Sequence, residues 1–66
     1  GEWYFKSTTD VINDIFIYDI SGRLIQKHHV EEKVAKINSK NIQNGLHFIQ
    51  LSGNFGIQTI KILNKN

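Results

Sequence analysis

The sequence predicts an all-β fold, a small antiparallel sandwich or barrel of about six strands. Two observations in its 66 residues carry that expectation. Runs rich in Ile, Phe, Tyr and Val recur at roughly ten-residue spacing. Between them stand Ser-Gly, Asn-Gly and Gly-Asn turn signals. Strands do not alternate with long helical patterns, which excludes an α/β sheet.

Length bounds the rest. The chain is read as one domain over residues 1–66. Ordering it costs on the order of 100 kcal/mol at about 1.5 kcal/mol per residue, so nearly every aliphatic and aromatic side chain must reach the core. There is no Cys, hence no disulfide and no thiolate metal site to help. No run of about eighteen apolar residues crosses a membrane, and no charged-then-apolar leader opens these residues. The chain has no Met, so it is read as a piece of a longer protein, with Gly1 as a cloning or cleavage scar. Net charge is +2, from eight basic and six acidic residues. The lysines are scattered, whereas a nucleic-acid footprint needs a basic stripe.

The elements follow in order. Trp3-Tyr4-Phe5-Lys6 is a first strand, expected to bury part of its aromatic run and leave one ring outside. Ser7 to Asp10 is a polar turn. Val11 to Ile20 is a strand with Ile15 and Ile17 on one face and Phe16, Tyr18 and Ile20 on the other. Apolar groups on both faces mark it as central. Asp19 closes it and can accept backbone N–H bonds from the turn. Gly22 can take φ > 0, which a three-residue hairpin loop with a bulge requires. Leu24 to Val30 returns as the partner strand, and Val30 to Lys33 reads as a charged turn. Val34 to Asn38 is a short strand, too short and uncapped for the competing helix. Residues 38–45 form a polar connection plugged by Ile42 and ended by the Asn44-Gly45 turn signal. Leu46 to Ser52 is a strand with His47, Ile49 and Leu51 on one face. Ser52 to Gly56 is a hairpin turn, Ile57 to Leu63 the last strand, and Asn64 to Asn66 a frayed polar end.

Few side chains stand at spacings that chemistry requires. His28 and His29 are adjacent, so in a strand they face opposite ways. His47 lies in an apolar strand from which it could approach one of them, but no Cys, Asp or Glu stands at ligand spacing, so all three are read as structural or surface side chains. Asp10, Asp14 and Asp19 do not have the close oxygen spacing of a calcium loop. Ser21 lacks the strand-to-helix elbow of a nucleophile. The reading is therefore a non-enzyme without cofactor or metal.

The residues do carry a resemblance. Tyr18-Asp19-Ile20-Ser21-Gly22-Arg23-Leu24-Ile25 resembles the Y-D-hydrophobic-S/T-G-K/R-hydrophobic-hydrophobic hairpin of type IX secretion C-terminal sorting domains of the type A kind. Ile37 to Ile49 resembles their I-D-L-S-x-L-x-x-G-hydrophobic-Y-hydrophobic-hydrophobic segment, with Asn38 in place of Asp and His47 in place of Tyr. Gly56 to Leu63, with Lys61 and Lys65, resembles their final Lys-bearing strand. The likeness spans Ile15 to Lys65. The family's Pro-Asn-Pro opening has no counterpart, since the chain has no Pro.

This resemblance implies an immunoglobulin-like antiparallel β-sandwich of about six to seven strands, borne at the C-terminus of a larger secreted protein of Bacteroidetes-type bacteria. It implies passage through the periplasm and across the outer membrane, to the cell surface or the medium. The implied partners are the type IX translocon and a sortase-like protease that removes the domain and attaches the cargo to anionic lipopolysaccharide. Within that frame the last strand is the expected recognition element, through Thr59, Lys61, Leu63 and Lys65, because a terminal strand leaves backbone groups open to an added strand. The same edge would allow two copies to pair. Asp19, Gly22 and Gly45 are assigned to the fold. The rival functions are a retained interaction domain of a secretion or surface component, and a carbohydrate-binding or adhesion sandwich using Trp3, Tyr4 and Tyr18 as ring platforms.

Overall fold

The computed structural model describes residues 1–65. The strands are β1 (Glu2–Lys6), β2 (Ile12–Tyr18), β3 (Leu24–Glu32), β4 (Val34–Asn38), β5 (Gly45–Gly53) and β6 (Gly56–Asn64), and no helix occurs among the described residues. A four-stranded sheet in the order β3-β2-β5-β6 faces a two-stranded sheet of β1 and β4, with every pairing antiparallel. This is a small immunoglobulin-like sandwich. Phe5, Ala35 and Ile37 from the small sheet meet Ile12, Ile15, Ile17, Ile49 and Leu51 from the large one, and Ile42 closes the gap from the β4–β5 loop. β2 is central, which explains its apolar residues on both faces.

Local irregularities reconcile this core with the period of two. Ile12 and Ile15 are both fully buried, although an odd spacing should put them on opposite faces. The pairing slips between Ile12 and Asp14 against both neighbouring strands, and the extra residue restores the inward face. On β3 the compensating excess falls at Val30 and Glu31, with Glu31 at φ 54.

The expected charged turn at Val30 to Lys33 is corrected here. β3 runs on to Glu32, and Lys33 alone bends the chain into β4. A bulge followed by a one-residue corner carries the chain from one sheet to the other. The Lys33 carbonyl accepts the Ser7 N–H at 2.8 Å, tying the corner to the β1–β2 connection.

Two further expectations are corrected. Ile20 does not share a face with Phe16 and Tyr18; the strand stops at Tyr18, and Ile20 sits in the turn, 72% exposed. Asn64 is not frayed. It ends β6 and is 3% exposed, its Nδ2 donating to the Ile42 carbonyl at 2.9 Å and the Gln43 carbonyl at 3.2 Å. One amide thereby satisfies two loop carbonyls and is itself satisfied in the interior. Asn66 lies outside the described residues.

Candidate recognition surface

β6 pairs only with β5 among the described residues, so its other edge is open. The two-residue loop Asn54-Phe55 closes on the pair Gly53 and Gly56, and the register then runs unbroken to Gly45 and Asn64. A two-residue hairpin closes on a hydrogen-bonded pair, and bonded and non-bonded pairs alternate along an antiparallel ladder. Gln58, Ile60 and Ile62 therefore turn their N–H and C=O groups toward β5. Ile57, Thr59, Lys61 and Leu63 turn theirs away.

Side chains follow the same parity. Ile60 and Ile62 pack against the core, while Ile57, Thr59, Lys61 and Leu63 are exposed on the outer face of the sheet. Open backbone groups and outward side chains thus belong to the same residues. Lys65 follows directly after β6 and is also exposed. Sequence reasoning missed Ile57, which stepping back by two from Thr59 would have added.

Behind this row the outer face is aromatic and cationic. Lys61 Nζ lies 6.0 Å from the Phe48 ring centroid, and Lys27 Nζ lies 5.5 Å from that of Phe16. Tyr18 OH donates to Gln50 Oε1 at 3.2 Å between them. The outer face of β5 and β6 carries no carboxylate: its residues are Leu46, Phe48, Gln50 and Ser52, with the β6 row beside them.

The β2–β3 hairpin is held by side chains. Asp19 Oδ1 accepts from Ser21 N at 3.0 Å, Ser21 Oγ at 2.6 Å and Arg23 N at 3.0 Å, and Oδ2 pairs with Arg23 Nε at 3.1 Å. The bond from the Ser21 hydroxyl, with the Arg23 N–H beside it, holds the carboxyl below its ordinary value. Gly22 has φ +88 and Gly45 φ +120, with nothing within 4 Å of an added Cβ at either. The constraint at both is the backbone conformation itself.

The histidines do not assemble. β3 and β5 lie on opposite sides of β2, and His28 stands level with Leu51, well along the strand from His47. His47 is buried beneath Trp3, ring centroids 6.2 Å apart, and its Nδ1–H donates to the Gly45 carbonyl at 3.0 Å. His29 Nδ1 hydrogen-bonds Asp14 Oδ1 at 3.0 Å, and its Nε2 lies 3.2 Å from Glu31 Oε1. The bond to Asp14 leads in raising its pKa. No group of three metal-ligating side chains occurs among the described residues. The ring platforms of the carbohydrate reading are also dispersed: Trp3 packs against the core, Tyr4 is exposed on the small sheet, and Tyr18 lies on the outer face of the large one. An open cleft of about 350 Å³ beside the Ser7–Thr9 loop has Lys6 as its one titratable lining residue.

The family model for the secretion system C-terminal sorting domain matches residues 2–65. The chain belongs to that family. It is a C-terminal sorting signal for type IX secretion. No curated protein and no solved structure matches it. In this sorting domain the β2–β3 hairpin rests on the Asp19 carboxylate, and the strand that bears Lys61 is the open-edged β6.

Proposed function

We infer that the sorting domain is a folded, non-catalytic signal read along β6, through Thr59, Lys61, Leu63 and Lys65. The observation that carries this reading is the coincidence just described: each outward residue of β6 offers both a side chain and an unpaired N–H and C=O. A protein that reads backbone and side chains together gains affinity from the ladder and selectivity from the row. The reader is the type IX translocon, met in the periplasm. A sortase-like protease acts on the domain after the cargo has crossed the outer membrane to the surface or the medium. No cofactor, metal or nucleic acid takes part. Asp19, Gly22 and Gly45 serve the fold that presents the strand.

The test is export of a periplasmic reporter fused to the domain in a type IX-secreting host. Deleting Thr59 to Asn66 removes the Asn64 clamp along with the row, so its effect mixes folding with recognition. The informative variant is Lys61→Glu with Lys65→Glu, which leaves the core intact. Reporter retention in a variant that still unfolds like the parent supports the reading. Undiminished surface release by that variant contradicts it.

A further inference from the structure

The four-stranded sheet has two edges, and they are built differently. β3 breaks register twice against β2, between Ile17 and Tyr18 and between Ile12 and Asp14, and Glu31 interrupts it at φ 54. Bulges and charged residues of this kind keep a foreign strand from pairing. β6 has nine residues, no register shift and no bulge. Pro, another common guard, is absent from the chain. The one charged residue within β6 is Lys61, and its ammonium lies back toward the Phe48 ring on β5, away from the open edge. A long edge in unbroken register, without guards, is what natural sheets avoid unless something pairs with it. The strands of the small sheet have five residues each and offer less.

We propose that β6 is completed by an antiparallel strand from a partner protein whose outward residues are apolar at both ends with a carboxylate between them. The proposal rests on β6 being the surface that is read, and it adds the chemistry of the reader. Residues directly opposite one another share a face. Apolar residues of the incoming strand stand opposite Leu63 and Ile57, which are 60% and 69% exposed. A carboxylate stands opposite Lys61, where the outer face of β5 and β6 supplies none. The bonded pairs are those to Ile57, Thr59, Lys61 and Leu63. A second copy of this chain answers the charge less well, since β6 carries no carboxylate of its own.

The probe is a nine-residue capped peptide with Val opposite Leu63 and Ile57, Glu opposite Lys61 and Thr between, added to the 66-residue chain. Amide exchange is followed residue by residue. At saturation, exchange slows at least about tenfold at the amides of Ile57, Thr59, Lys61 and Leu63, and those of Gln58, Ile60 and Ile62 change little. Lys61→Glu weakens binding about five- to tenfold and prefers the peptide with Lys in place of Glu. N-methylating the peptide amides that face β6 abolishes binding.

With the peptide, the proposal is overturned by binding with the four amides still in fast exchange, by equal binding of the N-methylated peptide, or by no binding at about 1 mM. Protection of the same four amides by self-association, without peptide, also overturns it and makes the occupant a second copy. If the peptide fails while Lys61→Glu with Lys65→Glu still blocks export, the partner strand falls and the sorting surface stands. If the peptide binds while export ignores β6, the reverse holds.

Discussion

The two hairpins of the large sheet close by opposite means. In the β2–β3 hairpin one side chain, Asp19, gathers Ser21 and Arg23, and backbone bonds join Asp19 N to Arg23 O and Gly22 N to Asp19 O. Its needs are met within five consecutive residues. In the β5–β6 hairpin no side-chain hydrogen bond spans the turn among the described residues; the turn depends on Gly56 at φ +101 and on how closely Gly53 meets its surroundings. A Cβ on Gly53 would lie 2.6 Å from the Val11 carbonyl and 2.7 Å from the Phe55 ring. The first hairpin is local, and the second is held by the rest of the fold.

That contrast orders the expected effects of mutation. Gly53→Ala is the most damaging, because the nearest obstacle is backbone that cannot swing aside; about 2–3 kcal/mol is expected in urea unfolding. A chain of this length has roughly 3–10 kcal/mol in hand, so the loss is large. Asn64→Ala follows at about 2 kcal/mol, leaving the Ile42 and Gln43 carbonyls without the amide that satisfies them. Gly22→Ala costs about 1–2 kcal/mol, all of it from φ +88, since nothing lies near the new methyl. If Gly22→Ala proved worse than Gly53→Ala, the division into a local and a tertiary hairpin would be wrong.

The smallest effects are electrostatic and appear as pH dependence. The Asp19 carboxyl titrates below its ordinary value of 3.8, so its contribution is present above that pH and lost as the pH falls through the lowered folded value. Asp19→Ala should therefore lower the unfolding midpoint at neutral pH by less than the three changes above, with the gap from the parent closing in acid. His29 behaves oppositely. Its pKa is raised, so its contribution is full below 6.5 and lost as the pH rises through the folded value. His29→Gln should narrow the difference in stability between mildly acidic and mildly alkaline solution.

The same contrast explains what could be read from the residues alone. The strand positions, the central place of β2 and the inward row His47, Ile49 and Leu51 were legible, because alternation and turn chemistry are local signals. The Lys33 corner was not. Glu31 and Glu32 look like turn residues, and only the pairing of Glu32 with Ile12 carries the strand past them. Nor was the Asn64 clamp, since a polar residue near a chain end reads as solvent-facing until the distant carbonyls it satisfies are known. The candidate surface was half legible: Thr59, Lys61 and Leu63 follow from the period of two. That the same residues leave their backbone groups unpaired depends on the phase set by the Gly53–Gly56 pair.

That phase is most directly tested by amide exchange along β6 in the free chain. Exchange should alternate, fast at Ile57, Thr59, Lys61 and Leu63 and protected at Gln58, Ile60 and Ile62. Uniform protection along the strand, or protection of the opposite set, would contradict it.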